Sequence, residues 1–186
     1  MELSRSEAEK LLFEYTLSDS LRRHAYCVEA CMQWYARLNN ECELLWGITG
    51  LLHDFDYEQF PEPSQNGHPF VGVGILRSKG YPESICEAIM GHALYSGVPR
   101  ISLLAKTLFA CDELSGLVYA SVLVRPDKNI DNLEVKSVRK KMKDKAFAKG
   151  VSREDIYLGC EELGIDLDVH IENVIEAIRN SKTLVF

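Results

Sequence analysis

Leu51-Leu52-His53-Asp54-Phe55-Asp56 is the stretch that decides how this chain is read. An apolar run ends in a histidine beside an aspartate, and imidazole and carboxylate are common ligands of borderline and hard divalent metals. An adjacent His-Asp pair recurs by chance in many proteins, so its weight depends on its surroundings. Upstream, the pattern from about 41 to 53 is that of a helix starting after the break Asn39-Asn40. Downstream, residues 55–67 form a polar loop, with Phe60-Pro61-Glu62-Pro63-Ser64-Gln65-Asn66-Gly67 at its end. A loop of that length in a small domain is often functional.

Further outward the pattern stays helical. Residues 6–17 make a first amphipathic segment with Leu11, Leu12 and Tyr15 on one side. Ser18-Asp19-Ser20 supplies cap-type residues for a second helix running to about Asn39. Past the loop, helices are expected from about His68 to Ser78, from Pro82 through His92, and over 101–124. Three more are expected over the basic segment 134–149, from Ser152-Arg153-Glu154-Asp155 onward, and over 167–180. Residues 94–100, with Gly97 and Pro99, form a second loop. No strand pattern, internal repeat, low-complexity segment or linker is visible, so the expected fold is all-α in one domain spanning 1–186.

Composition excludes several function classes. A net charge of −7 and a pI near 5.3 argue against nonspecific binding to nucleic acid or to an anionic membrane. A phosphate substrate is still admissible, because it needs only a local positive site. No apolar run approaches the ~18 residues of a membrane helix, and the first ten residues lack the apolar core of a signal peptide. The 6 cysteines contain no Cys-x-x-Cys pair and mostly sit in apolar helical patterns. Reduced thiols in a cytoplasmic protein are expected, and Cys27 and Cys31 are read as core packing.

Residues three, four and seven apart share a helix face. Leu17, Leu21, His24, Val28 and Cys31 form one such stripe, and Ile85, Ala88, Ile89 and His92 another. His68 goes with Val71, Gly72 and Ile75, while Asp112 falls with Ile101, Ala105, Leu108 and Ser115. One inward histidine is ordinarily a core residue with a hydrogen-bond partner. An inward aspartate is harder to dismiss, since an unpaired buried carboxylate costs roughly several kcal/mol. Convergence on metal would satisfy four histidines and two acids together, whereas the alternative needs a separate partner for each. Arg100 and Lys106 are the nearest cations in sequence, but Lys106 lies off the Asp112 face. His170, beyond this set in an acidic helix, is read as a nonligand.

The order His24, His53-Asp54, Asp112 resembles the H…HD…D signature of the HD-domain superfamily of metal-dependent phosphohydrolases. The likeness covers about residues 20–125, leaving 126–186 as a C-terminal helical extension. His68 and His92, between the pair and the last aspartate, resemble the two-metal subset. That resemblance implies one divalent transition metal held by His24, His53, Asp54 and Asp112. It implies a second held by His68 and His92, with Asp54 bridging. Gly91-His92-Ala93-Leu94-Tyr95-Ser96-Gly97, then Arg100-Ile101-Ser102 and Lys106 to Asp112, is similar to the HD-type diadenosine tetraphosphatases and to HDIG-type predicted hydrolases. Two departures stand out. The run after the pair is Phe55-Asp56-Tyr57, without the lysine many relatives carry, and Gly80-Tyr81-Pro82 precedes His92 rather than following paired histidines. The latter argues against cyclic di-GMP.

The expected function is hydrolysis of a phosphoester or phosphoanhydride in a nucleotide or related small phosphate by metal-activated water, with Asp54 fixing a metal spacing of about 3.5–4 Å. Fe, Mn, Co, Ni and Zn all suit a mixed nitrogen and oxygen ligand set. Arg100 and Lys106 are the candidates for phosphate contact or leaving-group stabilisation. Asp56 is expected to cap a helix or orient water, capping being the better bet. The basic segment Lys136–Lys145 either overhangs the site or forms one charged helix face. Two other classes stay open: a catalytically silent metal- or nucleotide-binding protein, which a nucleotide panel with Mn²⁺ would expose, and a di-iron oxygenase, which oxygen uptake with Fe²⁺ would expose.

Overall fold

Helices α2 (Asp19–Leu38) and α3 (Glu43–Leu52) pack against each other along much of their length. Their approach is close because α3 carries Gly50 at the contact, where a Cβ would come within 2.8 Å of the Val28 carbonyl oxygen. The computed structural model describes residues 2–181, 183 and 184, and among these every regular element is helical. Before this pair comes α1 (Arg5–Tyr15); after it come α4 (Phe70–Ser78), α5 (Glu83–His92) and a 3₁₀ turn, Leu94–Ser96. Then follow α6 (Leu103–Leu123), α7 (Val135–Lys143), α8 (Arg153–Leu163) and α9 (Leu167–Arg179).

Helix α6 is the axis of the bundle. It touches α2, α5, α7, α8 and α9, and its buried set, including Leu104, Leu108, Leu114, Leu117 and Val118, runs all round it. A helix apolar on every side belongs in the centre of a helical protein. Ser102 starts it by accepting from the Ala105 N–H. Helix α8 lies close on α6 because Gly159 faces Ala110; a Cβ there would sit 2.7 Å from the Ala110 Cα. All six cysteines are free thiols, and all but Cys42 are buried. Among the described residues no helix is long and apolar enough to cross a membrane.

Four expectations from the sequence need correction. Leu17 is not on the α2 stripe: α1 stops at Tyr15, the backbone N–H groups of Leu17 and Ser18 donate to the Glu58 carboxylate, and Leu17 is 73% exposed. Ile101 is 80% exposed, because α6 begins only after the Ser102 cap. His68 lies before α4 rather than inside it, joined to Pro69 by a cis peptide bond. The basic helix stops at Lys143, not at 149: Asp144 leaves helical geometry and its carboxylate accepts from the Ala146 N–H, turning the chain.

Candidate metal centre

His24 comes from α2, His53 caps the C-terminus of α3, and Asp54 follows it directly. His68 comes from the chain just before α4, His92 from the last position of α5, and Asp112 from the middle of α6. The bundle brings these six side chains to one place. His24 Nε2 lies 2.9 Å from Asp112 Oδ1 and 3.2 Å from His53 Nε2. His53 Nε2 is 3.3 Å from Asp54 Oδ2 and 3.4 Å from Asp112 Oδ1. On the other side, Asp54 Oδ1 is 3.1 Å from His68 Nε2 and 3.2 Å from His92 Nε2, and the two imidazole nitrogens are 3.2 Å apart. The two carboxylate oxygens of Asp54 thus face two separate groups of ligand atoms. His24, His53, Asp54 and Asp112 could hold one ion, and Asp54, His68 and His92 another.

The imidazole hydrogen bonds decide whether this set fits a cation. His53 Nδ1 donates to the Gly50 carbonyl, 2.8 Å away, and His92 Nδ1 donates to the Ile89 carbonyl. His68 Nδ1 donates to Asp56 Oδ1 at 2.7 Å. Each Nδ1–H is therefore committed, so in the neutral ring each Nε2 is a lone pair. Those lone pairs point at one another and at carboxylates. Without a cation such a set is repulsive unless protons are taken up. The titration directions follow: burial opposes charge on His53, but Asp54 and Asp112 outweigh it and hold the imidazole well above its ordinary value. Burial likewise opposes charge on His68, and the Asp54 and Asp56 carboxylates push it up to about 9. Asp54 and Asp112 are held low against their own burial, chiefly by His53 and, for both, by further histidine hydrogen bonds. A carboxylate–histidine partner such as Asp56 fixes the tautomer of a ligating imidazole and its orientation, so the donor set fits a divalent metal.

Asp56 takes the capping role expected of it, and a second one, positioning His68, that the sequence reading did not name. Beyond His68, its Oδ2 accepts the Gly72 N–H in the first turn of α4 at 2.6 Å. The carboxylate is almost fully buried, and it fixes the helix start and the ring together.

His24, Asp54, His68, His92 and Asp112 floor a cleft of about 520 Å³. Arg100 and Lys106 are not brought to it. Arg100 is held by Glu162 through Nε and Nη2, at 2.7 and 2.5 Å, and its Nη1 donates to the Gly91 carbonyl. Its guanidinium also stacks on Phe109. It braces the chain beside His92 instead of facing a substrate. The basic run of α7 does not overhang the cleft either; Lys136, Arg139, Lys140 and Lys143 gather around a separate depression beside Asp168. His170 lies outside these two groups.

Tyr57, from the loop 55–67, and Leu94 and Tyr95, from 94–100, form one side of the cleft, in the two loops from which the sequence expects substrate-choosing side chains. Sequence reasoning missed Glu113, Val151 and Asp155, which belong to the other. Burial, then the neighbouring Asp112 charge, pushes Glu113 up to about 7, against a hydrogen bond from the Ser152 backbone. Glu113 was legible in principle, since it shares α6 with Asp112. Asp155 was not, because it reaches the cleft only through the packing of α8 on α6.

The chain is an all-helical bundle whose interior gathers histidines and aspartates that could hold one or two metal ions. The HD domain family model matches residues 21–117, more than half of the chain, and the chain belongs to the HD domain family. That family consists mostly of metal-dependent hydrolases. Comparison with curated proteins and with solved structures gives no significant match.

Proposed function

We propose that this chain is a phosphohydrolase with a dinuclear centre, cleaving a phosphoester or phosphoanhydride of a small organic phosphate such as a nucleotide. The observation that carries the reading is the division of Asp54, one oxygen toward His53 and the other toward His68 and His92. A carboxylate so divided suits two cations a few ångström apart, the arrangement of many phosphoryl-transfer sites. Bound divalent ions would supply Lewis acidity and acidify water near neutral pH. The chain's own part is positional. The Gly50 and Ile89 carbonyls and Asp56 hold the protons on three Nδ1 atoms, keeping Nε2 of each ring free for a ligand bond. The resemblance of the run from Gly91 to Asp112 to HDIG-type hydrolases and diadenosine tetraphosphatases, read from sequence alone, favours a nucleotide among the candidate substrates.

The test is elemental analysis of the purified protein, with phosphatase assays on a nucleotide panel and bis(p-nitrophenyl) phosphate with Mn²⁺. One to two metal ions per chain and turnover are expected, both lost in His53→Ala and Asp54→Ala. Full metal content in those variants would overturn the reading.

A further inference from the structure

The two walls of the cleft differ in chemistry. Beside His68 and His92 stand Tyr57, Leu94 and Tyr95. The Tyr57 ring meets His68 edge-on, centroids 5.6 Å apart. Tyr95 donates its hydroxyl to the His68 carbonyl at 2.6 Å, which fixes the ring at the cleft while half of the residue stays exposed. Beside His24 and Asp112 stand Glu113 and Asp155, from two different helices. Neither carboxylate has a lysine or arginine partner among the described residues. Among the described residues no lysine or arginine lines the cleft.

Charge then limits what can enter. Two divalent ions set against Asp54 and Asp112 leave a surplus that matches one phosphoryl dianion. A further negative group on the ligand would face Glu113 and Asp155 with no protein cation to meet it, in a partly enclosed site where charges act strongly. An amine or hydroxyl in the same position would find carboxylate oxygens to accept its hydrogens, although Glu113 already takes one bond from the Ser152 backbone. The acidic wall does not stand alone as a site; it borders the cleft whose floor the converging ligand atoms make.

We propose that the cleft selects organic phosphates with a single phosphoryl group. Their remaining part lays an apolar or aromatic face on Tyr57, Leu94 and Tyr95 and turns an amine or other hydrogen-bond donor toward Glu113 and Asp155. The inference rests on the reading that the phosphoryl group sits over the ligand cluster, and it narrows that reading from phosphoanhydrides to phosphomonoesters.

Benzylphosphonates test it without turnover, because they carry no ester to cleave. Three para-substituted forms, with aminomethyl, methyl and carboxylate groups, are titrated by calorimetry into Mn²⁺-loaded protein. Binding should weaken in that order, by about tenfold at each step, the effect of roughly one partly buried charge contact. Glu113→Gln and Asp155→Asn should each contract the span by about tenfold. Metal analysis of each variant separates this from damage at the neighbouring Asp112, and Asp155→Asn carries the test from another helix. Equal affinity along the series, or an unchanged span in metal-replete variants, would overturn the selection while leaving the phosphohydrolase reading intact. Failure to bind any of the three, together with no ester hydrolysis by the loaded protein, would remove both.

Discussion

The chain buries histidines in two ways, and the contrast separates a structural residue from a ligand. His170, in α9, is fully satisfied by neutral partners: its Nε2–H donates to the Ala110 carbonyl at 2.8 Å and its Nδ1 accepts from Tyr35 Oη at 2.6 Å. Tyr35 in turn accepts from Asn173, whose Oδ1 accepts from Trp34. Every donor in that network has an acceptor. In His53, His68 and His92 only Nδ1 is satisfied, and the Nε2 atoms crowd each other and two carboxylates. All four of these imidazoles are buried; what differs is whether the second nitrogen has somewhere to go. Position on an apolar stripe therefore cannot identify a metal ligand, but an uncommitted nitrogen facing other uncommitted atoms can.

The largest test of that contrast is Asp54→Asn. The change keeps the shape and removes the charge shared by both ligand groups. Metal content should collapse, and turnover should fall on the order of a thousandfold or more, the scale of losing a key electrostatic group at a reacting centre. Mn²⁺ at a hundred times its Kd should stabilise the wild type by about 2.7 kcal/mol, a rise of several degrees in thermal midpoint, and leave Asp54→Asn unmoved.

Next in size is His170→Ala, which should leave metal content and turnover unchanged. It opens a cavity and strands the Tyr35 hydroxyl and the Ala110 carbonyl, so a loss of about 3 kcal/mol in urea unfolding is expected. The two regions should also answer pH with opposite signs. Burial pushes His170 from 6.5 down to about 4, although its bond to Ala110 pulls upward. The unfolded chain therefore binds a proton that the folded chain refuses. Its contribution is complete above about pH 6.5 and is lost as pH falls toward 4, by up to about 3 kcal/mol. His68 is raised instead, from 6.5 to about 9. In chelator-treated protein its contribution is complete below about pH 6.5 and is lost as pH rises through 9. With metal bound this second trend should vanish, because the ligands must then be deprotonated. Urea midpoints across pH, with and without chelator, read both.

Asp56→Asn is a smaller change within the same comparison. It weakens the partner that fixes the His68 tautomer while leaving all six proposed ligands in place. Metal affinity should drop about 10- to 100-fold, as for other carboxylates behind a ligating histidine. Competition with a chromophoric chelator measures it. Unchanged affinity would mean that the Gly72 N–H contact is the whole purpose of Asp56.

The all-α class, the helix order and the inward direction of His24, His92 and Asp112 were legible because they depend on local periodicity, which each segment carries by itself. The His53-Asp54 pair was legible as an interruption at the end of an apolar run. Boundaries failed where a distant residue decides them: Leu17 leaves α1 because Glu58, in the loop after the His-Asp pair, takes its N–H. His68 was put on a helix face because its neighbours Val71, Gly72 and Ile75 are periodic, yet the buried Asp56 carboxylate starts that helix later. The acidic wall was invisible because Asp155 arrives on α8, placed by the approach of Gly159 to Ala110. Local pattern reports which residues turn inward; it does not report which inward groups meet.

Lys106 carries the smallest expected effect and the sharpest contrast with a reading from sequence order alone. As the lysine between His92 and Asp112 it invites a phosphate-binding role. In the fold it does not line the cleft, and its charge is felt at Glu162, which it helps hold below the ordinary carboxylate range after the larger hydrogen bond from Arg100. Glu162 already has a bidentate guanidinium partner, so a second cation adds only screened attraction at a partly exposed site. Lys106→Gln should therefore shift unfolding by within about 0.5 kcal/mol and leave kcat/KM within about twofold for every phosphate substrate turned over. A phosphate contact would behave otherwise: removing a charge-assisted hydrogen bond at a reacting phosphoryl group costs roughly 10²-fold or more. A loss on that scale, with stability and metal content unchanged, would bring Lys106 back to the cleft.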